Sequence, residues 1–278
     1  CERPSRQHLF GSNMGLWSFD GFTFKEVSES YGLAKGTSVL SLLQDGDTLI
    51  VGTAFQGVLK IVGRNIVKKY HVSNSKLVSN RINHLFFDDQ RRLWISTPKG
   101  VSVLSNDRIV SYGEKNGLKA PDVFQVAQDK AGNIWIANFT GGLICFDGQK
   151  FQHYNSENGL KTDVVYSVLA DQSGNIWAGS QLGVDQVIVN SDGGISVINN
   201  FSRFDGFVGI ENNAGAALCD KYGVLWFGTI KGVVRCIPGE RVVNQLPPAV
   251  FVDQVNLNST ITNWFAEPFI NYYDSIKP

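Results

Sequence analysis

Residues 129–148 read DKAGNIWIANFTGGLICFDG. A polar turn containing Gly132 leads into an apolar run around Trp135. Gly141 and Gly142 break that run, a second apolar run follows, and Asp147-Gly148 closes it. Two short apolar runs bounded by turn residues are the pattern of a β-hairpin. A lone hairpin is marginal in water, so this one needs a surface to pack against.

The same phrase recurs along the chain. DQSGNIWAGSQLGVDQV begins at Asp171, DKYGVLWFGTIKGVVRC at Asp220 and DDQRRLWISTPKGVSVL at Asp88. QDGDTLIVGTAFQGVLKI begins at Gln44 with Ile50 at the tryptophan position, and HLFGSNMGLWSFDG begins at His8 with Leu9 there. The anchors Leu9, Ile50, Trp94, Trp135, Trp177 and Trp226 are spaced 41, 44, 41, 42 and 49 residues apart. A second landmark, Leu33, Leu77, Leu118 or Leu160, precedes its anchor by 17 residues each time, and Phe207 precedes the last by 19. A period of roughly 40–45 residues holding four short strands is that of a β-propeller blade. The expected fold is therefore all-β, a propeller of four-stranded blades with six repeats visible. In the clearest copy the strands are expected at Val123–Gln128 (a, innermost), Ile134–Asn138 (b), Leu143–Phe146 (c) and Phe151–Tyr154 (d). The recurrent tryptophans read as filling between blades. Asp129, Asp171 and Asp220, with Gly132, Gly174 and Gly223, read as residues of the a–b turn.

Composition narrows the function. Lys plus Arg and Asp plus Glu are both 25, so the net charge is zero. That disfavours nucleic-acid binding, which rests on a basic excess. No apolar run reaches the roughly 18 residues of a membrane helix. Cys1, Cys145, Cys219 and Cys236 show no metal-ligand spacing; the last three fall in apolar strands and read as free thiols rather than disulfides. Cys1 is read as the start of a fragment rather than as a lipid-bearing cysteine. His8, His71, His84 and His153 are isolated, with His153 in an outer strand. No motif for metal or nucleophilic chemistry appears, so no metal, cofactor or catalytic residue is expected.

The segments NGLKAPDVFQVAQDKAGNIWIANFTGGL and NGLKTDVVYSVLADQSGNIWAGSQLGV resemble the two-component regulator propeller repeat. FDGFVGIENNAGAALCDKYGVLWFGTIKGVVRCIPG resembles the last blade of that family, and NQLPPAVFVDQVNLN is similar to the lead-in of the β-sandwich domain that follows such propellers. The resemblance covers about residues 8–257. It implies the sensor region of a histidine kinase or hybrid two-component system, of the Bacteroidetes kind, exposed to the periplasm as part of an inner-membrane protein. It further implies recognition of an oligosaccharide or other small polar ligand. The signal would pass to sandwich and kinase modules of the same protein. Residues 1–246 would then be propeller, and 247–278 linker plus the start of the sandwich, or a ring-closing strand. Family propellers often have seven blades, and six anchors are present here. An interaction scaffold without small ligand and a propeller lyase are the other readings.

A ligand site is expected at the mouth of the central channel, on the b–c turns and d–a loops. The turn flanks are constant and the tips vary, which is where function is grafted on a fold. The tip residues are Asn13, Phe55, Gln56, Lys99, Phe139, Thr140, Gln181 and Lys231. The insertion before the last anchor adds Glu211, Asn212 and Asn213, read as d–a loop. Strand a of the first blade would fall at or before Cys1. Either Ala249–Leu257 folds back to fill that place, or upstream chain does, which is the preferred expectation. The second case leaves a blade edge open to pairing with another copy, as a homodimer.

Overall fold

The structure, a computed structural model, describes residues 8–190, 193–209 and 211–239 and the backbone of 255–257 and 260–262. The chain divides into two compact units, Cys1–Pro238 and Gly239–Pro278. The first unit holds six antiparallel sheets, one per repeat, each with its strands in simple sequence order. The second sheet is Val39–Asp45, Thr48–Thr53, Val58–Val62 and Asn65–Tyr70. The third is His84–Phe87, Leu93–Thr97, Gly100–Ser105 and Arg108–Tyr112. The fourth is Val123–Gln128, Ile134–Asn138, Gly142–Phe146 and Phe151–Tyr154, within one residue of the expected bounds. The fifth is Val165–Ala170, Ile176–Ser180, Gly183–Val189 and Ile195–Phe201.

The end sheets show three strands each. The first has b, c and d (His8–Ser12, Gly15–Phe19, Phe24–Glu26); the last has a, b and c (Asn212–Cys219, Leu225–Thr229, Gly232–Cys236). The place expected for strand a of the first blade lies outside the described residues, as do 249–254 of the candidate closing strand. Val255–Leu257 pairs with Thr260–Thr262 in a hairpin.

The core is a series of slabs, one between each pair of successive sheets. Leu16, Leu49 and Leu59 lie between the first and second, and Ile50, Leu85 and Ile95 between the second and third. Trp94, Val126 and Ile144 follow, then Trp135, Val168 and Ala178, then Trp177, Leu225 and Phe227. The opening hairpin thus packs on both faces against copies of itself. Successive a strands touch, and strand a of the fourth sheet also reaches that of the sixth, so the inner strands wrap a common axis. On the end sheets the outward faces lack such cover among the described residues: Phe10 and Phe24 are exposed on the first, Leu218 and Val233 on the last.

The repeat landmarks have local causes. The indole N–H of Trp94, Trp135, Trp177 and Trp226 donates to Asp88, Asp129, Asp171 and Asp220 at 2.8, 2.7, 2.9 and 2.9 Å. The other carboxylate oxygen of each accepts a backbone N–H across the a–b turn, such as Asn133 N at 2.9 Å. One aspartate therefore closes the turn and satisfies the buried indole. The glycine of each NGL-like landmark ends a 3-10 turn in the left-handed region, for instance Gly117 at φ 93°. The next residue, Leu33, Leu118, Leu160 or Phe207, then drops into a slab. Leu77 is buried likewise.

The slab packing makes a graded prediction. Trp135 is fully buried and stacks on Tyr154 at 5.8 Å, so Trp135→Ala should cost about 3–5 kcal/mol. Trp226 is partly exposed, and Trp226→Ala should cost clearly less. Denaturant melts compare the two; equal losses would contradict packing between blades as the role of these rings.

Candidate functional site

The six b–c turns form one rim, and all are pinned alike. The last residue of strand b, namely Ser12, Thr53, Thr97, Asn138, Ser180 or Thr229, accepts a backbone N–H from its own turn. Gln56 N to Thr53 Oγ1 (2.8 Å) and Gly141 N to Asn138 Oδ1 (2.8 Å) are examples. The hydroxyl donors also reach the carbonyl of the glycine that opens strand c, as Thr97 Oγ1 does to Gly100 O at 2.8 Å. That glycine is required. A Cβ on Gly142, at φ +70°, would lie 2.1 Å from Tyr154 O, and one on Gly57 2.0 Å from Tyr70 O. Backbone packing at Gly57, Gly100, Gly142 and Gly183 thus fixes four of the six turns, while their tips stay free to vary.

Asn13, Phe55, Gln56, Lys99, Phe139, Thr140, Gln181 and Lys231 all lie exposed on these tips. Glu211 is half-buried and Asn213 exposed. Asn212 and Asn213 belong to strand a of the last sheet, not to the d–a loop. The two extra residues of this repeat are absorbed in a wide bulge between Asn212 and Ala217, where other inner strands carry a one-residue bulge. Asn212 is 2% exposed, and its Nδ2 donates to Ser180 O (2.8 Å) and Gly183 O (2.9 Å), tying the sixth sheet to the fifth.

Of the expected residues, Phe139 gains a built environment. Its ring meets Phe124 at 5.8 Å edge-on and Tyr166 at 6.4 Å, and Phe124 and Tyr166 lie 5.7 Å apart. Phe124 and Tyr166 are the bulged residues of the fourth and fifth inner strands, left without a cross-strand partner. A bulge re-aims a side chain, and here two bulges bring rings to the rim beside Phe139. Phe139 is 41% exposed, so the cluster has an open face. Phe139 N donates to Asp122 O at 3.2 Å. Burial raises the Asp122 carboxyl above its usual range, and Arg81 opposes that shift. The cluster therefore sets its ring faces beside the Asp122 backbone, and the charge of Arg81 acts on the Asp122 carboxyl. Sequence reasoning passed over Phe124, Tyr166, Asp122 and Arg81; the available signal was an aromatic inside an otherwise aliphatic inner strand.

Polar side chains link the inner strands below the rim. Gln125 Oε1 accepts from Val168 N (3.1 Å) and its Nε2 donates to Ala217 O (3.4 Å). Ser41 Oγ accepts from Leu85 N at 3.1 Å. His84 occupies the same level of the third sheet, with Nδ1 enclosed and without a hydrogen-bond partner among the described residues. Burial pushes its pKa down to about 4, so it is neutral at pH 7. Burial pushes the Cys145 thiol up to about 12 and raises Cys219 and Cys236, so none of these is a ready thiolate. Among the described residues no group of three or more His, Cys, Asp or Glu is placed to hold a metal, and no helix is long and apolar enough to cross a membrane.

Comparison with known proteins agrees with this architecture. Residues 76–99 match the family model of the two component regulator propeller, so the chain carries that family's repeat. It is similar in structure to the extracellular domain of a proposed hybrid two component system, BT3049 of B. thetaiotaomicron, at TM-score 0.75 and 21% identity. That match covers 95% of this chain and 38% of the other. The extracellular domain of BT4673 from the same organism matches at TM-score 0.64 and 22% identity, over 84% of this chain and 35% of that one. A streptogramin B lyase structure matches at TM-score 0.55 and 12% identity, over 84% and 80%. The chain thus spans under two-fifths of the two-component domains it matches. No curated protein matches it.

The buried histidine sets a pH dependence. The folded pKa of about 4 lies below the ordinary 6.5, so between these values the unfolded chain binds a proton that the fold refuses. Its contribution is intact above pH 6.5 and is lost as pH falls toward 4. Stability from urea melts should fall by about 2 kcal/mol between pH 7 and pH 5. His84→Gln, the residue type of the fourth inner strand, should flatten that slope; an unchanged slope would contradict the burial of His84.

Proposed function

We propose that this propeller is an extracytoplasmic ligand-sensing region of a two-component regulator, placed in the periplasm, and that it relays recognition of a small polar ligand to output modules of the same protein without itself doing chemistry. The supporting observation is the Phe124–Phe139–Tyr166 cluster at the rim, tied to Asp122 through the Phe139 backbone, with Arg81 acting on the Asp122 carboxyl. An oligosaccharide suits this set. Sugar C–H faces pack on rings, while carboxylate, guanidinium and the nearby Thr140 meet hydroxyls. The relatives with the same fold are extracellular domains of two-component systems, which supports the sensor reading. The lyase reading draws less support, because His84 is neutral and enclosed, and its Nδ1 has no hydrogen-bond partner among the described residues.

A second reading has its own observation. Met14, Phe55 and Ile230 are 70%, 77% and 60% exposed on three other turns of the rim. Exposed apolar tips around one face suit docking of a protein surface. A glycan array followed by titration separates the two. On the ligand reading, wild type binds a defined oligosaccharide, and Phe139→Ala and Tyr166→Ala each weaken it at least tenfold (about 1.4 kcal/mol) at unchanged melting temperature. Absence of any glycan signal, or binding indifferent to both substitutions, would favour the scaffold.

A further inference from the structure

The slab between the second and third sheets departs from the others. In the third to sixth sheets an indole reaches up to the aspartate of the a–b turn. The second sheet has Ile50 at that position and a tight turn at Gly46-Asp47 in place of the aspartate-capped loop. A cleft of about 450 Å³ opens there, on the side of the a–b and c–d turns, and reaches from Asp45 and Lys60 to Asp107. Its size suits a small organic ligand.

Two cationic side chains line this cleft. Lys60 is the cross-strand neighbour of Ile50, at a position that varies between copies: Val103, Cys145, Gln186 and Arg235 neighbour the four tryptophans. Arg91 stands at the turn position held by Gly132, Gly174 and Gly223, and keeps their left-handed backbone at φ 60°. A non-glycine residue there is strained, so its side chain is the feature that distinguishes this turn. The guanidinium lies 4.7 Å from the Phe87 ring and pairs with Asp45. Pairing leaves other guanidinium N–H groups for a ligand. Asp107 is engaged by the Tyr70 hydroxyl and by Lys68 at 3.6 Å. Lys60 makes no ion pair within 4 Å among the described residues; its ammonium lies 5.6 Å from the Tyr70 ring, and its charge helps hold the Asp107 carboxyl below the usual range, after the Tyr70 hydroxyl and Lys68. Leu93 and Leu104 supply an apolar floor.

We infer that the cleft between the second and third blades is a second binding site, for a small organic carboxylate whose anionic group meets Lys60 and Arg91 and whose body lies on Phe87, Leu93 and Leu104. It is separate from the aromatic cluster on the b–c rim. Saturation-transfer NMR on the purified chain tests it with D-glucuronate and benzoate, each against its uncharged counterpart, D-glucose and benzamide. At least one carboxylate should give a signal that its counterpart does not. Arg91→Gly restores the repeat residue, so it should fold and melt like the parent yet bind at least tenfold more weakly. Lys60→Met should act in the same direction, and Phe139→Ala should have no effect. Silence from both carboxylates, equal signals from the uncharged pair, or a signal that survives Arg91→Gly would overturn the inference.

Discussion

A buried carboxylate accepting the indole N–H of a tryptophan six residues further on sets the geometry of the third, fourth and fifth blades. Asp129 joins three things: the N–H of Trp135, the backbone of Asn133 and the Asn133 amide. A polar group taken out of water is costly unless it is paired, and here the pairing partner is the ring that fills the next slab. The turn, the strand and the inter-blade packing therefore stand or fall together. In the sixth sheet Asp220 makes the same bond at a more open site, and the indole hydrogen bond is the largest influence holding its carboxyl below the usual range.

Because that bridge and the glycine-pinned b–c turns carry the fold, the rim residues are released from structural duty. This is how one repeat supports different surfaces. The fourth and fifth repeats place rings on the rim through bulges, and the sixth uses a wider bulge and buries Asn212 to tie itself to its neighbour. Where the bridge is missing, in the second repeat, the space that the indole fills elsewhere is open and lined by charge. Variation in function and variation from the repeat thus fall at the same places.

The fold was legible because spacing survives substitution. Leu9 and Ile50 keep the register of the tryptophans without being tryptophan, and the strands of residues 123–154 fall within one residue of their expected bounds. The site was less legible. The exposed tips could be read from turn chemistry, but the extra residue of each bulge is shared between copies and leaves the spacing constant, so an aromatic in an otherwise aliphatic inner strand was the one mark on Phe124 and Tyr166. Asn212 looked like loop because its insertion is local, whereas the strand absorbed it. Arg91 reads in sequence as a lost glycine; only the backbone shows that the glycine conformation was kept and a side chain added to it.

A double-mutant cycle on Asp129→Ala and Trp135→Phe tests the central claim most directly. If the carboxylate–indole bond holds the turn to the slab, the two changes share one interaction. Their combined loss should then fall short of the sum of the separate losses by about 1 kcal/mol or more. Simple additivity would mean that the aspartate serves the turn alone and the tryptophan packs without it, and the account of the blade would be wrong.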